Sequence, residues 1–178
     1  MESGTQEALV QTLMPLLRQF CRGRYGIALG GSYVKGIGDS HSDVDVYLFV
    51  EQTLPNGARN ELAARTLGEE ARVVSWGDDR DFREGGTDFW HQGRKVECWL
   101  RNVRYVEETL SACSAGQIRR DCVVWTVMGF YNYVVLSDVH AMQVVEDPYG
   151  ILSRWKQSVA VYPEALRQAI LGRFLAEA

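Results

Sequence analysis

The chain has no run of basic residues, no long apolar run and no closely spaced cysteines. Each absence excludes something. Lys and Arg total 19 against 23 Asp and Glu, a net charge of −4. Non-specific nucleic-acid binding draws most of its affinity from phosphate neutralisation by basic side chains, so an acidic chain without a basic stretch argues against a polynucleotide partner. No apolar run reaches the roughly 20 residues that span a bilayer. The start, Met1 to Glu7, lacks the basic and apolar segments of a secretory leader, so a cytoplasmic location is the expectation. Cys21, Cys98, Cys113 and Cys122 form no C-x-x-C pair, which leaves neither a zinc site nor a disulfide framework, and they read as reduced core thiols. No internal repeat or low-complexity tract is present.

What is there is an ordinary globular balance, 46% apolar and 24% charged over 178 residues. That is enough for one domain, or one domain and part of another. Leu9, Val10, Leu13, Leu16, Leu17 and Phe20 recur at helical spacing, with Thr5 as cap and a kink or break expected at Pro15. Arg22 to Gly26 reads as the end of that helix and Ile27 to Leu29 as a short strand. Asp43 to Val50 is a second strand, and Leu54 to Gly57 a turn. Ala58 to Leu67 is a helix closed by Gly68, and Ala71 to Trp76 a third strand. Gly77 to Gly86 is a polar loop, and a hairpin turns at Gln92-Gly93 between Asp88–His91 and Arg94–Leu100. Beyond residue 105 the composition changes. Val106 to Leu110, Gln117 to Val139 and Pro163 to Ala178 all read as helical, with a turn at Asp147 to Gly150. The last helix runs to the end of the sequence uncapped, as if a larger helical domain were cut short. The element order fits a small α/β or α+β domain over 1–105, then a helical segment over 106–178.

Chemistry concentrates in one stretch, Gly30-Gly31-Ser32-Tyr33-Val34-Lys35 through Ser42-Asp43-Val44-Asp45. Asp43 and Asp45 share one face of a strand, because successive side chains alternate. Two adjacent carboxylates repel and are costly to bury without a cation. A backbone-lined glycine turn suits a polyphosphate, and a carboxylate pair suits the magnesium that accompanies it. A helix expected to start at Ser32 offers free N–H groups to an anion, with Lys35 one turn in. Later, Lys95, Glu97 and Trp99 alternate with Val96 and Cys98, so Glu97 is a third carboxylate available to the same face. Two metals bridged by such a cluster could activate a hydroxyl and steady a leaving pyrophosphate.

Taken together, Gly30-Gly31-Ser32, Ser42-Asp43-Val44-Asp45 and Glu97 resemble the signature of the nucleotidyltransferase superfamily of the DNA polymerase beta type. The spelling G-G-S-Y-x-x-G-x-x-D-x-x-S-D-x-D looks like its bacterial branch of antibiotic nucleotidyltransferases and small relatives acting on proteins. The resemblance covers roughly residues 5 to 105. It implies a nucleotidyltransferase fold, that is, a catalytic domain over 1–105 with a mixed sheet and flanking helices, together with an NTP (ATP first) and divalent metal, two ions of Mg2+. By that resemblance Asp43, Asp45 and Glu97 are catalytic and bind metal, while Gly30, Gly31, Ser32, Lys35 and Ser42 hold the nucleotide. The family's third acid is usually Asp, so Glu97 departs from the pattern. Leu136-Ser137-Asp138 to Gly150 is similar to the start of the helical domain of larger members, which closes over the acceptor.

The activity implied is transfer of a nucleoside monophosphate to a hydroxyl with release of pyrophosphate. The first acceptor class is a small molecule such as an aminoglycoside or lincosamide antibiotic, that is, antibiotic resistance. The alternatives are a protein hydroxyl, as in antitoxin-like members, and a non-catalytic nucleotide-binding module. Glu97, Asp88, His91 and Asp138 are candidates to take the acceptor proton. His91 reads as a hairpin-tip residue, His41 as a loop residue near the phosphates, and His140 carries no signal. Trp76, Trp90, Trp99, Trp125 and Trp155 read as core or pocket walls.

Overall fold

A computed structural model describes residues 3–39, 41–77, 83–123 and 126–175, without the side chains at 3–5, 121–123 and 126–128. The expected capping side chain of Thr5, the side chain of Cys122, Trp125 and most of the polar loop after Gly77 lie outside the described residues.

Helix α1 spans Ser3–Phe20 as one element. The break expected at Pro15 does not occur. Pro15 sits on the exposed face, where the carbonyl it leaves without a partner can be solvated, while Leu13, Leu16, Leu17 and Phe20 are buried. Strand β1 (Cys21–Leu29) follows at once. The segment Arg22 to Gly26, expected to end the helix, is strand with an irregularity between Arg22 and Tyr25. Then come α2 (Gly31–Val34), β2 (Val44–Thr53) and α3 (Asn56–Leu67). Asn56 and Gly57 open α3 instead of standing in a separate turn. Ala71 closes a single 3-10 turn, Glu69–Ala71, so β3 is shorter than expected, Val74–Gly77. The hairpin expected around Gln92-Gly93 is formed by β4 (Glu84–His91) and β5 (Arg94–Asn102).

Helix α4 spans Val103–Ser114, with the Asn102 side chain capping Tyr105 N–H at 3.1 Å. The long helix expected over 117–139 is not there. The segment forms a hairpin, β6 (Arg120–Val123) and β7 (Thr126–Tyr131), and only then α5 (Tyr133–Ala141). Its β-branched valines favour a pleated strand. The Asn132 side chain fastens the hairpin base, accepting from Arg119 N–H at 3.1 Å and donating to the Gln117 carbonyl at 2.9 Å. Strand β8 (Gln143–Glu146), α6 (Ile151–Ser158) and α7 (Glu164–Leu175) complete the described chain. Asp147 caps α6 by accepting from Ile151 N–H at 2.7 Å.

The main sheet has the order β3-β4-β5-β2-β1-β8, with β2 and β5 parallel and the other neighbours antiparallel. The fold is therefore α+β, a mixed six-stranded sheet with flanking helices, as expected. Strand alternation gives each face its own core. Val44, Val46, Leu48 and Val50 of β2, with Val96, Cys98 and Leu100 of β5, pack with Leu13 and Leu17 of α1 and Ala63 of α3. Tyr47 and Phe49 face the other way, onto Val106 of α4, Val139 of α5 and Trp155 of α6. Strand β8, from the second half of the sequence, pairs with β1. Cys21, Cys98 and Cys113 are free and buried, the reduced core thiols expected. No helix among the described residues is long and apolar enough to cross a membrane.

Candidate active site

The face of the sheet that carries Tyr47 and Phe49 also carries the acids. The parallel register sets Asp45 beside Glu97, and the antiparallel register sets Glu97 beside Asp88. Asp43 lies two residues before Asp45 on the same face. Burial is the main reason the Asp45 carboxyl is pushed up to about 6, and the charges of Glu97, Asp43 and Asp138 push the same way. Burial also raises Asp88, partly offset by the Trp76 indole N–H donated to its carboxylate at 3.3 Å.

Lys95, unassigned by the sequence reading, crosses this cluster. Its ammonium donates to Asp43 Oδ2 at 3.3 Å and to Glu97 Oε1. The bond to Glu97 is the largest cause of its raised pKa. The signal was in the sequence: Lys95 sits two residues before Glu97, hence on the same face. The donor chemistry of Asp43, Asp45 and Glu97 fits a hard cation. The arrangement is closed instead by the ammonium, and among the described residues no three His, Cys, Asp or Glu side chains are grouped to hold a metal ion.

The glycine turn packs against the same carboxylate. Gly30 N–H donates to the Asp45 carbonyl at 3.0 Å, tying the turn to β2. Gly31 has φ +66°, and a Cβ there would lie 1.7 Å from Asp45 Oδ2. A Cβ at Gly30 would meet the Tyr47 ring at 2.2 Å. Both positions require glycine, one for backbone conformation and close approach, the other for close approach alone. Gly31 N–H donates to the Tyr47 hydroxyl at 3.3 Å. Helix α2 is a single turn, so Lys35 is its C-cap and not a residue within a longer helix. Lys35 is exposed and still draws the Asp45 pKa down slightly. Ser32 is half-buried in the turn. The Ser42 hydroxyl is used within the loop: it accepts from Asp39 N–H at 2.9 Å and donates to Asp39 Oδ1 at 3.0 Å. Arg94 donates to the Ser42 carbonyl at 2.5 Å, tying the loop before Asp43 to β5.

Beyond the acids the same face opens into a cavity of about 180 Å³, walled by Asp45, Tyr47, Trp99, Tyr105, Tyr131 and Asp138. At its side Arg101 of β5 donates to Glu84 of β4 at 2.7 Å and to Asp138 of α5 at 2.8 Å. The guanidinium lies 5.4 Å from the Tyr47 ring centroid. All three charged side chains are at most 12% exposed. Sequence reasoning missed Arg101 and Tyr47, since an Arg two residues past Trp99 carries no sign of its partners.

The remaining candidates separate spatially. His91 is half-buried in a different groove of about 740 Å³ that it lines with Trp90 and Gln92. His41 is exposed, and so is His140, whose ring nitrogen lies 3.2 Å from the Val159 carbonyl. Trp155 is core, Trp99 walls the cavity and stacks edge-on with Trp76 at 4.8 Å, and Trp90, 44% exposed, walls the other groove.

No family model matches the chain, and no curated protein matches it. Among solved structures, it is similar to a chain from a crystal structure of a toxin-antitoxin with AMP-PNP. The identity is 18% and the TM-score 0.43, over 94% of this chain and 95% of that one. A likeness of that size carries no argument about function here.

Proposed function

We propose that this chain is a nucleotidyltransferase that moves a nucleoside monophosphate, AMP from ATP in the first instance, to an acceptor hydroxyl and releases pyrophosphate. The observation that carries this reading is the parallel pairing of Asp45 with Glu97, with the Gly30-Gly31 turn closed onto the Asp45 carboxylate. That pairing brings the separate pieces of the motif together on one face. A polyphosphate seated on the glycine turn lies next to the acids.

Each residue then has a task. Gly30, Gly31 and Ser32 offer backbone and hydroxyl groups to the phosphates, and Lys35 adds charge at the edge of the turn. Ser42 fixes the loop that delivers Asp43. Asp43, Asp45 and Glu97 would hold magnesium once the Lys95 ammonium is displaced. When bound, the cation neutralises the phosphates and the leaving pyrophosphate. Tyr47 and Trp99 form the floor and wall that exclude water beside Asp45. Positioning and charge carry most phosphoryl-transfer catalysis, and these residues supply both. Residues 1–105 hold the transferring group in this reading, and 106–178 supply the far wall of the cavity. The acceptor we propose is a small hydroxylated molecule of the aminoglycoside or lincosamide kind, drawn in by the surplus of carboxylates.

The test is label transfer from radiolabelled ATP with magnesium to kanamycin, lincomycin, a tyrosine-containing peptide and water. Wild-type transfer that disappears in Asp45→Asn supports the reading. Undiminished transfer in Asp45→Asn, or none in the wild type, overturns it. Labelling of the peptide alone replaces the small-molecule acceptor with a protein one.

A further inference from the structure

Nucleotidyl transfer to a hydroxyl leaves a proton to be removed, and the fold distinguishes the groups that could take it. Glu97 and Asp88 do not line the cavity beside Asp45, and His91 faces another groove. Asp138 alone of the four comes from the far side, on α5, and shares the walls of the cavity with Asp45. Its charge is felt at both Asp45 and Tyr47.

The way Asp138 is held is specific. Arg101 donates to its Oδ2 at 2.8 Å, while its other oxygen accepts no hydrogen bond from a described residue. Arg101 is itself fixed, donating through Nε to Glu84 at 2.7 Å and resting over the Tyr47 ring. Strands β4 and β5 and helix α5 thus converge on one guanidinium. Its planar fork holds both carboxylates at fixed angles, which the freely rotating ammonium of a lysine does not. A buried ion cluster is a poor source of stability compared with apolar packing, since desolvation consumes most of its Coulomb gain. Here it holds one carboxylate at fixed aim beside the proposed reaction centre.

We propose that Asp138 takes the proton of the acceptor hydroxyl in this cavity, and that Arg101 is the positioning residue that aims it. The proposal rests on the nucleotidyltransferase reading above. In the step, the acceptor oxygen forms a bond to the α-phosphorus. The bond from that phosphorus to the bridging oxygen breaks, and its electron pair leaves on pyrophosphate. The hydroxyl proton passes to the other carboxylate oxygen of Asp138, Oδ1, and from there to water.

The experiment compares wild type, Asp45→Asn, Asp138→Asn, Asp138→Glu and Arg101→Lys. Labelled ATP and magnesium are supplied with the four acceptors named above, and thermal melting is recorded for each protein. The expected result for Asp138→Asn is a fall in kcat of about 10²- to 10⁴-fold, the usual contribution of a positioned base, with an unchanged KM for ATP. Arg101→Lys is expected to fall less, with KM for ATP also unchanged. Should Asp138→Asn fail to fold, Asp138→Glu, which shifts the carboxylate by one methylene, is read in its place with the same split. Wild-type kcat in the folded Asp138 variant, or a loss confined to acceptor KM, overturns the proposal and leaves nucleotidyl transfer standing. A wild type inert toward all four acceptors removes both. Loss in Asp45→Asn with none in Asp138→Asn removes only the second.

Discussion

Strand β2 exposes two chemically different faces within eight residues. Val44, Val46, Leu48 and Val50 point toward α1 and α3, each fully buried in an apolar core. Asp45 and Tyr47 point the other way, toward the glycine turn and the cavity, with Asp43 just before the strand beside Lys95, and only at Phe49 does that face become apolar again. One face gains free energy from every side chain it removes from water, about 1.5 to 3 kcal/mol for a fully buried large aliphatic. The other accumulates carboxylates with too little counter-charge and loses stability by it. The plain face stabilises a strand whose opposite face carries the candidate site.

Changes on the two faces should therefore differ in kind. The largest expected effect belongs to the acidic face: Asp45→Asn lowers transfer about a thousandfold, about 4 kcal/mol of transition-state stabilisation, in the label-transfer assay. On the plain face Leu48→Ala costs about 3 kcal/mol of folding stability by denaturant titration. Gly31→Ala brings a methyl into the space of the Asp45 carboxylate at φ +66°. It is expected to cost about 1 to 2 kcal/mol from the left-handed conformation alone. ATP affinity should fall with it, as read by equilibrium binding. Lys95→Met removes the ammonium between Asp43 and Glu97. It should tighten Mn2+ binding about tenfold, about 1.4 kcal/mol, measured by calorimetry on the nucleotide-free protein. Unchanged Mn2+ affinity would show that the ammonium does not compete for those oxygens.

The smallest effect concerns pH. Unfolded, the Asp45 carboxyl titrates near its ordinary value of about 3.9. Folded, it is pushed up to about 6. Between these values the folded state binds more protons, so raising the pH costs stability. The penalty is absent below about pH 4 and complete above about pH 6. Asp45→Asn should accordingly be more stable than wild type at pH 7, by about 1 kcal/mol after discounting for partial exposure, with the gap closing at pH 4. A gap that stays constant across that range breaks the contrast drawn for the two faces.

Much of this was legible in the residues. The alternation at Val96, Glu97, Cys98 and Trp99 sorted the faces of β5 correctly, and Gln92-Gly93 marked the hairpin. The apolar stripe of α1 was right, while the penalty assigned to Pro15 ignored that its carbonyl partner faces water. The region 117–139 was misread because a valine-rich stretch that is apolar on several sides has no decisive period. The Asn132 side-chain bonds that settle it as a hairpin join residues 13 and 15 positions apart.

By itself the sequence determined the local chemistry: a glycine turn, two acids on one strand face, a third on another, and an apolar counter-face. These follow from side-chain type and from a period of two, which need no knowledge of neighbours. The tertiary structure decided the rest. It set Asp45 beside Glu97 through a parallel register, laid the Gly31 turn on the Asp45 carboxylate, and placed Lys95 between two acids. It also carried Asp138 of α5 to Arg101. Strand pairing and helix docking join residues 37 to 52 positions apart here. Such contacts are fixed by which buried surfaces fit together, a property of the whole packed molecule that no short stretch of sequence contains.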